Sequence, residues 1–333
     1  MSVVAESLSK VILGAPQTHR NLSLFPLLGD GIAEPGYVLL DAALAQGCAR
    51  VTEVSEAGSV PELGLDNGCD LPVLLLDGEE LIGAKQNRIL NLSVLAPAGK
   101  RIVIPVSCVE AGRWHAESAA FRSAGRAHYA GGRARKAAQV SESLRNYGSR
   151  RSDQSAVWAD ISAKSARMDA ASPTGAAAAL YDTHRASLDE YLSAFAPVPA
   201  QLGALFTLNG QVLGLDLFDS AQTLTALLPK LVESSALDAV DAGQADGATG
   251  DRAAAQRFLD MVAAAQLQRF PAIGEGEDLR LVSPAVAGGA LMAEARLVHL
   301  CAFATATAPA EDANGETRGS RIARASQRRS GRQ

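Results

Sequence analysis

Residues 77–114 read DGEELIGAKQNRILNLSVLAPAGKRIVIPVSCVEAGRW, and the fold class turns on this stretch. It follows a near-continuous apolar run over residues 71–77, the pattern of a strand covered on both faces. Asp77-Gly78 supplies a turn signal, and residues 88–95 and 101–109 read as further strands separated by Pro97-Ala98-Gly99-Lys100. Alternation across the first of these puts Asn91 and Ser93 on one face and Leu90, Leu92 and Val94 on the other. Pro105 has no N–H to give to a ladder, so its strand is predicted to be an edge or bulged strand.

Outward from this segment the composition changes in steps. Residues 1–112 are β-rich. From Gly112 the chain turns to Ala, Arg and Ser, and residues 113–196 read as helical. Helices are predicted over 134–146, over 153–168 with Ser152 as cap, and over 174–195, opened by Ser172-Pro173 and ended by Pro197 and Pro199. Residues 197–305 are mixed. Residues 205–208, Asn209-Gly210 and residues 211–218 form the clearest hairpin signal in the chain, because Asn-Gly suits a turn with positive φ at both central positions. Asp219-Ser220 caps a helix reaching about Val232, residues 252–266 form another, and residues 279–283 and 294–303 are terminal strands. Residues 236–250, rich in Ala, Asp and Gly, read as a loop. This order predicts an α+β fold in which the late hairpin and terminal strands complete a sheet begun early, as one domain over residues 1–305.

At 333 residues, 47% hydrophobic and 20% charged, the chain can bury a substantial core. Its apolar runs stop far short of the roughly 20 residues a membrane-spanning helix needs, and the first residues lack a secretory pattern, so a cytoplasmic location is the expectation. Cys48, Cys69, Cys108 and Cys301 show no CxxC pairing and are expected to be free thiols. The histidines are scattered, so neither a metal site nor a cofactor is expected. The net charge of −5 conceals an Arg-rich end. Arg318, Arg321, Arg324, Arg328, Arg329 and Arg332 carry no accompanying acid, leaving 25 basic against 36 acidic residues elsewhere. Residues 306–333 are expected to be a disordered tail, and nucleic acid is an expected partner only through it.

The turn region of the opening stretch concentrates Glu79, Glu80, Lys85, Gln86, Asn87, Arg88 and Asn91, an acid pair beside a cationic, amide-rich cluster. Turns mounted on a rigid sheet are common places for binding groups. Residues 113–151 form a second basic cluster, including Arg113, Arg126, Arg133, Lys136 and Arg150, with Trp114, Tyr129 and Tyr147 as faces on which a base can stack. Its alternative reading is a set of arginines paired with acids elsewhere in the fold. Cys108 fails as a phosphatase nucleophile, since only four residues separate it from Arg113 and no Ser or Thr follows that arginine.

Residues 78–91, GEELIGAKQNRILN, with residues 104–114, IPVSCVEAGRW, resemble a bacterial domain family named for its association with ADP-ribosylglycohydrolases and rhodanese or phosphatase-superfamily proteins. The resemblance runs from about Leu24 to Phe303 and implies a site candidate without assigned roles. The resulting expectation is a protein that binds a small phosphate-bearing nucleotide derivative such as ADP-ribose or an NAD-derived metabolite. If it also hydrolyses this ligand, Glu80 or Glu110 serves as general base, and Lys85, Gln86, Asn87, Arg88, Asn91, Arg113 and Trp114 hold the ligand. The alternative is a non-catalytic scaffold in which the same cluster merely locks the sheet.

Overall fold

The computed structural model describes residues 2–115, 118–243 and 250–305. The tail expected over residues 306–333 lies outside them. The fold is α+β, and three sheets organise it. A nine-stranded antiparallel sheet runs in the order Ile12–Leu13, Leu22–Leu28, Gln201–Leu208, Gln211–Phe218, Arg296–Ala304, Val286–Ala293, Glu277–Val282 and Gln266–Pro271, with Gln17–His19 paired to Leu22–Leu28. Its early strands are thus completed by the late hairpin and the terminal strands. A closed barrel joins Lys100–Cys108, Glu62–Asn67, Ala49–Glu53, Phe121–Ala127, Glu79–Gly83 and Arg88–Leu90. Val38–Leu39, Val73–Leu75 and Val94–Ala96 make a small third sheet.

The hairpin forms where the sequence places it, with Asn209 at φ 48° and Gly210 at φ 79°. The large sheet buries both faces. Leu215, Leu217, Leu279, Leu300 and Ala302 pack against helices Val3–Ser9 and Arg252–Ala264. The opposite face carries Leu24, Ala204, Phe206 and Phe218 against helices Ala178–Thr183, Arg185–Ala194 and Ala221–Ala242. Further along this face the register lines up Asp216, His299, Cys301, Gly289, Arg280 and Asp278, opposite the helix Ala130–Tyr147. Leu63, Leu65, Leu81, Leu90, Ile104 and Val106 fill the barrel.

Several sequence expectations are corrected. The strand predicted over 88–95 is two strands, because residues 91–93 bend away and pass Val94–Ala96 to the third sheet. Its first part pairs with Val106–Cys108. Pro105 is not on an edge, since a closed barrel has none. It sits where Lys100–Cys108 changes partner from Glu62–Asn67 to Arg88–Leu90, so its missing N–H costs little. The helix predicted over 174–195 starts later and breaks at His184 into Ala178–Thr183 and Arg185–Ala194. The cap of Gln154–Arg167 is Asp153, whose carboxylate accepts from the N–H groups of Ser155 and Ala156; Ser152 instead bonds Ser107. Residues 236–242 are not loop. The helix Ala221–Ala242 continues through them because Ala236, Leu237 and Ala239 are buried, and burial outweighs the weak local signal. Strands Gln266–Pro271 and Val286–Ala293 had no clear alternation and were missed.

The expectation of four free thiols is also corrected. Cys48 and Cys69 form a disulfide, while Cys108 and Cys301 are free and buried. The bridge closes the open end of the hairpin formed by Ala49–Glu53 and Glu62–Asn67, next to the Gly68 N–H bond to the Cys48 carbonyl. Such bridges persist in oxidising compartments. Among the described residues no helix is long and apolar enough to cross a membrane.

Closing a loop of 21 residues restricts the unfolded chain by up to about 3 kcal/mol. Reduction, or the Cys48→Ala/Cys69→Ala pair, should therefore lower the unfolding free energy by up to that amount in urea titrations with and without reductant. An unchanged midpoint would show that the bridge does not form in the protein.

Candidate functional site

One end of the barrel gathers most of the residues singled out in the sequence. Arg88 and Cys108 are directly opposed on neighbouring strands and face inward, as do Leu90 and Val106. Gln86 Nε2 donates to the Glu110 carbonyl at 3.0 Å, and its Oε1 accepts from Arg88 Nη1 at 3.0 Å and from the Cys108 thiol at 3.2 Å. Glu110 accepts from Arg113 Nη2 at 2.6 Å, from the Asn87 N–H at 3.1 Å and from Thr174 Oγ1 at 2.9 Å. Arg113 also donates to Asn87 Oδ1 at 3.1 Å and to the Ala84 carbonyl at 2.7 Å. Trp114 is 48% exposed and covers this end, its ring centre 5.4 Å from Lys85 Nζ and 5.9 Å from Arg88 Cζ.

The electrostatics divide these groups. Burial disfavours ionised Glu110, yet the hydrogen bonds from Arg113, Asn87 and Thr174 outweigh it and hold the carboxyl below its ordinary pKa. Glu110 is therefore a stable carboxylate whose oxygens are already engaged. Burial raises the pKa of the Cys108 thiol, with Arg88 only partly opposing it, which fits an inert strand cysteine. Arg88 is the unusual member. It is wholly buried, no carboxylate lies within ion-pair distance of it among the described residues, and its Nε and Nη2 have no hydrogen-bond partner. Burial lowers its pKa, and Cys108 and Glu53 only partly compensate.

Other expected members are elsewhere. Leu81 opposes Arg88 and Glu80 opposes Ile89, so Glu80 points out of the barrel while Arg88 points in. There Glu80 binds Arg126 at 2.6 Å, and Arg126 stacks on Tyr181 at 4.6 Å. Glu79 pairs with Lys230. Asn91 donates to the Arg150 carbonyl at 2.9 Å and accepts from Ser107 at 2.6 Å, tying a loop down. Lys85 Nζ donates to the Ala57 carbonyl at 3.1 Å. The basic run over residues 113–151 is dispersed among acids: Arg126 to Glu80, Arg133 and Lys136 to Asp77, Arg135 to Asp160, Arg150 to Asp278 and Arg151 to Glu62.

A second cluster, unnoticed in the sequence, lies between the barrel, the helix Ala130–Tyr147 and the large sheet. Arg133 donates to Asp77 at 3.1 Å and grips Asp216 with Nη2 at 2.6 Å and Nη1 at 3.1 Å. Lys136 binds Asp77 and the Leu90 carbonyl, and Arg280 binds Asp278. All six ionic side chains are buried. Burial alone would raise the Asp216 pKa, but Arg133 and the hydrogen bond from His299 lower it to about 2. The members come from residues 77, 133, 136, 216, 278, 280 and 299, and only paired burial in three dimensions relates them. Their one local signal was the presence of Asp and Arg inside otherwise apolar strands.

A family model described as ARPP-1, the ARG and Rhodanese-Phosphatase-superfamily-associated Protein domain, matches residues 10–303, and the chain belongs to this family. The family name links it to ADP-ribosylglycohydrolase and rhodanese-phosphatase proteins. No curated protein and no solved structure matches it.

Asp216 gives the fold a definite acid dependence. Its folded pKa of about 2 lies below its ordinary 3.8, so its stabilisation is complete above the ordinary value and is lost as pH falls through the folded one. That loss should amount to about 2 kcal/mol between roughly pH 5 and pH 2. Urea unfolding across this range should show the decline, and Asp216→Asn should be less stable at neutral pH and flatter by that amount. Equal slopes in both proteins would remove Asp216 as the cause.

Proposed function

We propose that this ARPP-1 domain binds a phosphate-bearing nucleotide derivative, of the ADP-ribose or NAD-derived kind, at the Arg88–Trp114 end of the barrel. The carrying observation is the buried Arg88 guanidinium with no carboxylate partner among the described residues. Burying an unpaired cation costs several kcal/mol, a cost that a bound anion offsets. Its unpartnered Nε and Nη2 share one edge of the fork, the edge suited to gripping two oxygens of a phosphate. The half-exposed Trp114 indole beside it offers a face to a base, and Lys85 adds a second positive charge at the rim.

Binding is favoured over hydrolysis by the expected carboxylates. Glu80 lies on the far side of the barrel wall, and Glu110 is engaged by three donors, so the two do not converge on one ligand. The saturation of Glu110 and Arg113 also favours a second reading, a scaffold in which this cluster only locks the barrel end.

Titration calorimetry with ADP-ribose, NAD and AMP separates the two. Wild-type protein should bind at least one of them, and Arg88→Met should weaken it by about 1.5–3 kcal/mol, roughly 10- to 100-fold. The same substitution removes a buried unpaired charge and should leave the melting temperature unchanged or raised. Cys108→Ser should bind as wild type. Absence of binding to all three ligands, or unaltered affinity in Arg88→Met, would favour the scaffold.

A further inference from the structure

On the outer wall of the barrel, the side to which Glu80 points, lies a cleft that the nucleotide reading does not use. Its barrel side is a bulge. Ser123 and Ala127 pair with Leu81 and Glu79, so Ala124, Gly125 and Arg126 together stand opposite the single residue Glu80. Gly125 permits this with φ 72°, and a bulge of this kind re-aims the side chains beside it. The other walls are helical. Arg185, Asp189 and Leu192 recur at the spacing of one face of the helix Arg185–Ala194, and Pro229 and Glu233 do the same on Ala221–Ala242. The cleft measures about 320 Å³, the lower end of the range for small-molecule sites. It is open to solvent, since Gly125 and Asp189 are both exposed.

Two charged side chains that line it are themselves almost wholly buried, Arg126 at 8% and Glu233 at 5% exposure. Arg126 is fixed from behind. Its Nε donates to Glu80 at 2.6 Å, and its guanidinium lies over the Tyr181 ring at 4.6 Å. Among the described residues its Nη1 reaches only Asp182, at 3.9 Å and beyond hydrogen-bonding distance, and its Nη2 reaches no acceptor. The outer edge of the fork is therefore open. Glu233 accepts from Arg185 Nη1 on Oε1 at 2.6 Å, which leaves Oε2 for another donor. Asp189 stands beside it, 2.9 Å from Arg185 Nε.

The balance of charge selects the ligand. Arg126 and Arg185 stand among four acidic side chains, Glu80, Asp182, Asp189 and Glu233. A bare anion such as phosphate is repelled by the excess of acid, whereas a bare cation leaves the Arg126 edge unanswered. A ligand of both signs meets both demands. The two outer nitrogens of a guanidinium match the two oxygens of a carboxylate, and Glu233 with Asp189 can accept from an ammonium group. Leu192, Pro229 and Ala124 supply apolar surface next to them. We propose that this cleft binds a free α-amino acid with an apolar side chain, its carboxylate on Arg126 and its ammonium group on Glu233. Because Glu80 and Tyr181 already hold the guanidinium, little side-chain freedom is lost on binding.

The test is titration calorimetry on the full chain with L-alanine, L-valine, L-leucine, L-methionine and L-phenylalanine. At least one should bind saturably. Its amide, which lacks the carboxylate, and its deaminated acid, which lacks the ammonium group, should each bind about 10- to 100-fold more weakly. Arg126→Gln should weaken the amino acid by a similar factor. Glu233→Gln should weaken the amino acid but leave the deaminated acid unchanged, and Ala124→Phe should obstruct the cleft without altering any charge. Since Arg126→Gln strands the buried Glu80 and can fail to fold, the Glu233 and Ala124 variants decide in that case. Failure of all five amino acids to bind at about 10 mM overturns the proposal. Unchanged affinity in both Glu233→Gln and Ala124→Phe also overturns it, as does inorganic phosphate that competes with the amino acid and binds as tightly.

Discussion

Arg133 reaches from the helix Ala130–Tyr147 to two carboxylates, one in the turn that leads into the barrel and one in the large sheet. Asp77 opens the turn into the barrel strand Glu79–Gly83, and Asp216 lies in the large sheet. Lys136, one helical turn further on, takes the other oxygen of Asp77. Charges this deeply buried are tolerated only when each is paired and its remaining donors and acceptors are satisfied, so helix, barrel and sheet must meet in one arrangement. Removing one member strands its partner and typically costs about 3–5 kcal/mol. The turn itself is shaped to the same end. Gly78 has φ 78°, and a Cβ on it would sit 2.8 Å from the Arg133 side chain, so glycine serves both the backbone conformation and the close approach.

Against this saturated network the Arg88 end of the barrel stands out by contrast. Arg133 and Arg88 are both fully buried arginines, yet one pairs with two carboxylates and the other, among the described residues, with none. The physics that accounts for Arg133 as structure leaves Arg88, among the described residues, without a carboxylate at ion-pair distance, and this difference supports a ligand at one place and not at the other. Glu110 and Arg113 lie beside Arg88 and answer each other, which keeps the barrel end ordered around the unmatched guanidinium. Ser93 belongs to the ionic network at its other margin, where Asp216 is shared between Arg133 and His299.

The comparison between chain and fold is clearest at particular residues. Asn209-Gly210 was legible because a tight turn with positive φ admits few residue types. The gathering of Gln86, Asn87, Arg88, Glu110 and Arg113 was legible in part, because a short antiparallel pairing brings residues about twenty apart in sequence side by side. Glu80 was misplaced because neighbouring strand residues face opposite sides, and the sequence does not say which side holds the site. The disulfide was missed because 21 residues separate its cysteines and only the hairpin register brings them together.

The α+β composition, the strand-rich start, the helical middle and the late hairpin were determined by local rules of turn, cap and periodicity, each acting within a few residues. The closing of six strands into a barrel, the meeting of Asp77, Arg133 and Asp216, and the alignment of Ser93 with His299 were decided by tertiary structure alone. These features rest on strand register and on contacts between residues 56 to 206 apart in the sequence, where burial and electrostatics depend on the whole packed chain and leave no short-range pattern to read.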